Sequence, residues 1–135
     1  MVLIRYLWAL PTTLVGFPFV ILALMTGGGC RVVRGVIEVH GGAVAWLLEH
    51  ATMLEGGATA MTIGHIVLAR SRAAHDVTRE HERIHVRQVE RWGPLFLPAY
   101  FISSIIAWKK GLDPYRDNRF EIEAYDDDAR RAHEN

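Results

Sequence analysis

The chain has 135 residues, half of them hydrophobic, and its fifteen basic and fifteen acidic side chains cancel to a net charge of zero. That length holds one domain, or a small domain with a membrane element, and the neutral charge argues against a nucleic-acid partner. The single cysteine, Cys30, excludes an internal disulfide and a thiolate zinc site within one chain, which leaves histidine and carboxylate as ligands.

The first predicted element is apolar. Tyr6 to Met25 carries no charged residue and is about as long as a bilayer core requires. Pro11, Gly16 and Pro18 interrupt it, as membrane helices tolerate. Arg5 lies just outside the run, and Tyr6 and Trp8 stand where an interfacial belt begins. A retained transmembrane helix is the preferred reading. A cleaved signal peptide would have only Thr26-Gly27-Gly28 as its cleavage site, and a lipoprotein signal ending at Cys30 would carry Gly27 where an aliphatic residue belongs. The layout expected is α+β: a membrane anchor helix and hinge over residues 1–29, then a small domain over 30–135.

Beyond the Thr26–Gly29 hinge the pattern changes. Val32 to Val39 is β-branched and reads as one or two short strands, turned by His40-Gly41-Gly42. Ala43 to Leu54 fits a short helix or a further strand, and Glu55-Gly56-Gly57 is a turn. Ala60 to Ala69 reads as one strand. His65 inside it is expected to be a hydrogen-bonded structural histidine. His75 is expected at the surface where the next helix begins, with a place near a metal as the second reading.

Asp76 to Gly93 contains His81-Glu82-Arg83-Ile84-His85, the pattern H-E-x-x-H. On a helix, residues four apart share a face, so two imidazoles can point at one metal ion. The Glu between them can reach the water that the metal holds. Asp76 or Thr78 is the expected cap, and Trp92-Gly93-Pro94 ends the helix. Pro94 to Trp108 is a second apolar run, closed by Lys109-Lys110. It is too short for a comfortable span and fits a core, re-entrant or interfacial helix. Gly111 to Asn118 reads as a polar loop. A last helix starts near Asn118 and carries Glu121 and Glu123. Catalytic zinc takes three protein ligands and one water, so either Glu can be the third. Asn118 with Glu121 also reads as an N-cap and its capping-box acid.

His81-Glu82-x-x-His85 followed by Glu121-x-Glu123-Ala124-Tyr125 resembles the gluzincin class of zinc metallopeptidases, above all its membrane-embedded branch. There the second motif reads Glu-x-x-Ala-Asp or similar; its Glu binds zinc, and the Asp four residues on supports a zinc-binding His. The resemblance implies a small zincin-like domain with His81, His85 and Glu121 as zinc ligands and Glu82 as general base. Tyr125 occupies the Asp position, and a phenol can hydrogen-bond an imidazole but does not stabilise a buried charge as a carboxylate does. The chain as a whole is similar to a group of short bacterial membrane-associated proteins, through Arg5-Tyr6-Leu7-Trp8, Met61-Thr62-Ile63-Gly64-His65 and Arg91-Trp92-Gly93-Pro94-Leu95-Phe96.

The function expected is a membrane-associated zinc hydrolase acting on a peptide or protein. Tyr125, Tyr115, Arg116 and His75 are the candidates for stabilising the oxyanion. A non-catalytic domain stapled by zinc is the alternative, and a membrane scaffold without metal is the third reading. Arg31 and Arg34 against Arg5 place the soluble part on the cytoplasmic side of the cell (inner) membrane, after a single pass.

Overall fold

The computed structural model describes residues 2–52 and 56–134. Along the chain run α1 (Val2–Met25), β1 (Gly29–Val33), β2 (Val36–His40), α2 (Gly42–His50), β3 (Ala60–Ile63), β4 (Ile66–Ala69) and α3 (Arg72–Trp92). A 3-10 turn (Gly93–Leu95), α4 (Phe96–Lys109) and α5 (Arg119–Glu134) complete it. The α+β class expected from the sequence is the class observed. The stretch left open between helix and strand is helical through His50, while Met53, Leu54 and Glu55 lie outside the described residues.

The four strands form one sheet in the order β1-β2-β4-β3, parallel between β2 and β4 and antiparallel elsewhere. Val32 to Val39 is a hairpin folded at Arg34-Gly35, both at positive φ. Ala60 to Ala69 is not one strand but two. Gly64, at φ +69°, turns the chain back on itself in a conformation that L side chains rarely adopt. The turn fits under α1, where a Cβ at Gly64 would stand 2.6 Å from the backbone nitrogen of Thr13.

Alternation along the strands divides the core into two layers. Val39, Ile63, Ile66 and Leu68 face α1 and α2 and pack with Ala23, Val44 and Leu48. Val36 and Val67 face the other way, onto Val86 of α3. A third cluster, Ala9, Val89, Phe96 and Phe120, ties α1, α3, α4 and α5 together.

Helix α1 is long and apolar enough to cross a membrane, and a third of its most apolar stretch is buried against the rest of the chain. Its contacts run along its length. The Tyr6 hydroxyl donates to the Gly35 carbonyl (2.7 Å), the Trp8 indole to that of Arg91 (3.1 Å) and the Thr12 hydroxyl to that of Gly93 (2.9 Å). The His65 amide donates to the Thr13 hydroxyl (3.0 Å), and Ala23 is fully buried.

Candidate metal centre

Helix α3 starts earlier than the sequence signals placed it. Ser71 is the cap, its hydroxyl accepting the Ala74 amide at 3.1 Å, so Asp76 and Thr78 lie inside the helix. The first turns therefore pass over β2, and His75 is neither a surface residue nor part of the metal centre. It is buried, with Nε2 2.8 Å from the Val39 carbonyl. Burial lowers its pKa, which keeps the ring neutral. Gly93 ends the helix at φ +57°, directly beneath the Trp8 indole.

Two turns further along α3, His81 and His85 face α5, which packs alongside. Glu82 lies about 100° round the helix from His81 and faces β3. At the start of α5 the Asn118 side chain accepts the Phe120 amide (2.9 Å) and donates to the Tyr100 carbonyl (2.9 Å) and the Ser104 hydroxyl (2.8 Å). The capping residue is thus Asn118 itself, and Glu121 turns inward instead of closing a capping box.

His81, His85 and Glu121 converge. His81 Nε2 is 3.3 Å from Glu121 Oε2, and His85 Nε2 is 3.1 Å from Glu121 Oε1. One ligand atom from each of the three lies within 4.8 Å of the others, close enough for the group to hold a metal ion. Glu123 is elsewhere. It is exposed, pairs with Arg91 and lines a groove of about 370 Å³ with Arg5, Arg87 and Arg130.

Comparison with family models, with curated proteins and with solved structures finds no match for this chain.

Each imidazole is oriented from behind. His81 Nδ1 lies 2.6 Å from Asp128 Oδ2, and a proton there leaves the Nε2 lone pair directed at the cluster. Gln88 donates from Nε2 to the Phe120 carbonyl (2.9 Å), which turns its Oε1 toward His85 Nδ1 at 2.8 Å. His85 thereby keeps its Nδ1 proton on Gln88 and turns Nε2 toward Glu121. The Tyr100 hydroxyl donates to Glu121 Oε1 at 2.8 Å. The Thr62 hydroxyl donates to Glu82 Oε2 at 2.6 Å.

The electrostatics fit a cation. Burial pushes the Glu82 carboxyl above its ordinary range. Burial would also raise Glu121, but its bonds to His81, His85 and Tyr100 and the His85 charge bring it down to about 2. Burial would lower His85; the Glu121 bond and the charges of Glu82 and Glu121 carry it up to about 9 instead. The Glu121 carboxylate, held ionised between the two imidazoles, thus draws positive charge to the point where the Nε2 atoms meet it.

Of the four oxyanion candidates, Tyr125 tilts over the His81 ring with centroids 4.6 Å apart, and the Tyr115 hydroxyl is 3.4 Å from that of Tyr125. Arg116 is exposed in the loop before α5, and His75 is buried under β2. Sequence reasoning missed Asp128, Gln88, Tyr100 and Thr62. The first two carry a signal: Gln88 is three residues after His85 and Asp128 seven after Glu121, each on its partner's helical face. Tyr100 and Thr62 carry none, because only tertiary packing brings α4 and β3 to the centre.

Proposed function

We propose that this chain is a membrane-associated, zinc-dependent hydrolase with a small zincin-like domain, and that its substrates are peptides or proteins. The observation that supports the reading best is the convergence of His81 Nε2, His85 Nε2 and Glu121, with a buried carboxylate, Glu82, on the helix of the two histidines. Two imidazoles and one carboxylate are a donor set of catalytic zinc, with a fourth position for water. Zinc so held supplies Lewis acidity and a bound water that ionises near neutral pH. Glu82 takes a proton at its carboxylate and returns it to the leaving amine. A carboxyl with a raised pKa is better matched to moving that proton both ways. Tyr125, whose ring lies over His81, is the oxyanion candidate nearest the centre.

A peptide is favoured as substrate by β3. It is an edge strand, and its Thr62 holds Glu82. An extended chain pairing with that edge would run past the general base. The apolar α1 supports membrane association.

The test is cleavage of a peptide library by zinc-loaded protein reconstituted in lipid. Glu82→Gln is expected to keep its zinc and to cleave at least about a hundredfold more slowly. Equal cleavage by the variant would remove Glu82 from the chemistry. Zinc retained without any cleavage by the wild type would favour the alternative, a non-catalytic domain in which the ion staples α3 to α5. The origin of the ligands in both helices suits that alternative too.

A further inference from the structure

Helix α4 has an unusual surface. From Gly93 to Trp108 the sequence contains no charged residue. Phe96, Ser103 and Ala107 are buried, and Tyr100 reaches Glu121 from the same side. Ser103 and Ser104 also point inward, to the Arg119 amide and to Asn118. Leu95, Phe101, Ile102, Ile105, Ile106 and Trp108 are exposed. At 100° per residue they cover a continuous arc of roughly 160°, opposite the buried stripe. Such an arc, apolar until Lys109 closes it, is a surface that soluble monomers rarely leave to water.

Helix α1 repeats the pattern. Its inward side is the stripe of Ala9, Thr12, Thr13, Gly16 and Ala23. Its outward side exposes Leu3, Leu7, Leu10, Leu14, Phe17 and Ile21. The two helices meet where Trp8 and Thr12 bond to Arg91 and Gly93, at the turn that opens α4.

We infer that the outward faces of α1 and α4 are immersed together in one leaflet of a phospholipid bilayer, with α1 lying along the membrane instead of crossing it. This specifies how the membrane association proposed above is achieved. Lipid is the occupant for two reasons. A protein interface carries about one hydrogen bond per 100–200 Å², and among the residues named on the two faces only Trp108, at the end of the α4 arc, has a donor. The α4 arc also ends in Trp108-Lys109-Lys110, an aromatic ring at headgroup depth followed by two ammonium groups that reach anionic phosphates. In-plane placement follows from the packing. The sheet and α2 cover the inward side of α1 from Tyr6 to Ala23. Were α1 to cross, the ion pairs of Glu38 with Arg79 and Arg83 and the open edge of β1 would be drawn toward hydrocarbon.

The test uses full-length Cys30→Ser protein in phosphatidylcholine vesicles containing phosphatidylglycerol. A fluorophore is placed singly at Leu14, Ile102, Ile105 or Arg79, with lipid-borne quenchers at shallow and deep acyl positions. Leu14, Ile102 and Ile105 should all be quenched, more by the shallow quencher, while Arg79 is not. Deep quenching at Leu14 with none at Ile102 and Ile105 would mean a crossing α1 and would overturn the inference. So would burial of Ile102 and Ile105 between two copies of the chain, seen as concentration-dependent crosslinking without quenching. In a second arm, Ile102→Glu/Ile105→Glu protein that still binds zinc should partition at least tenfold less into the vesicles. Unchanged partition would count against α4. Zinc content is read in every sample, so failure of the metal site is distinguished from failure of the membrane mode.

Discussion

Asp128 of α5 reaches across to His81 of α3, its carboxylate 2.6 Å from the imidazole Nδ1. Arg131 pairs with the other carboxylate oxygen of Asp128, which fixes the carboxylate in turn. Tyr125, four residues after Glu121, leaves that position to Asp128, seven residues after it. Both spacings keep the group on the face of α5 that looks at α3.

Loss of that support should be felt at the metal. Asp128→Ala is expected to lower zinc affinity by about 10- to 100-fold, because the His81 ring loses its fixed tautomer and orientation. Asp128→Asn, which can still accept the Nδ1 proton, should lose less. Competition with a chelator of known affinity measures both. Unchanged affinity in Asp128→Ala would show that His81 is oriented by packing alone.

The centre was legible in the sequence to the extent that it is helical. His81, Glu82 and His85 lie within one turn, and a period of 3.6 fixes their relative directions whatever the rest of the chain does. The choice of Glu121 over Glu123 rests in the sequence on the resemblance alone, since both lie near the start of α5 and only its packing on α3 decides which looks inward. The Gly64 turn was hidden because Ala60 to Ala69 is apolar almost throughout, and a buried hairpin shows no alternation to mark the bend. His75 was misplaced for a related reason. Ser71 begins α3 a full turn before Asp76, and that earlier start carries His75 under the sheet.

Acid should destabilise the fold through Glu38. Its carboxylate is buried, with Arg79 on both oxygens at 2.8 Å and Arg83 at 3.3 Å. Burial alone would raise its pKa, but the Arg79 bond and the charges of Arg79 and Arg83 hold it below the ordinary 4.5. The stability it contributes is present above pH 4.5 and is lost as pH falls through the lower folded value. Glu38→Gln should cost about 3 kcal/mol near neutral pH and flatten the acid limb of the melting curve. An acid limb of wild-type steepness would assign acid sensitivity to other groups.

Helix α1 should behave as part of the core. A Cβ at Gly16 would sit 3.0 Å from Ile66 Cδ1 and 3.3 Å from the Ile63 carbonyl. Gly16→Val is therefore expected to lower stability by about 1–3 kcal/mol through overpacking, measured by denaturation in detergent. A tether that merely held the domain near a membrane would accept the same change with no loss.

The most direct measurement is the metal content of the purified chain, read by elemental analysis beside His81→Ala, His85→Ala, Glu121→Ala and Glu123→Ala. The account predicts about one zinc per chain in the wild type and in Glu123→Ala. It predicts none in either histidine variant and a clear deficit in Glu121→Ala. Wild-type protein that carries no metal and takes up none on addition of zinc would contradict it, as would Glu123→Ala losing more zinc than Glu121→Ala.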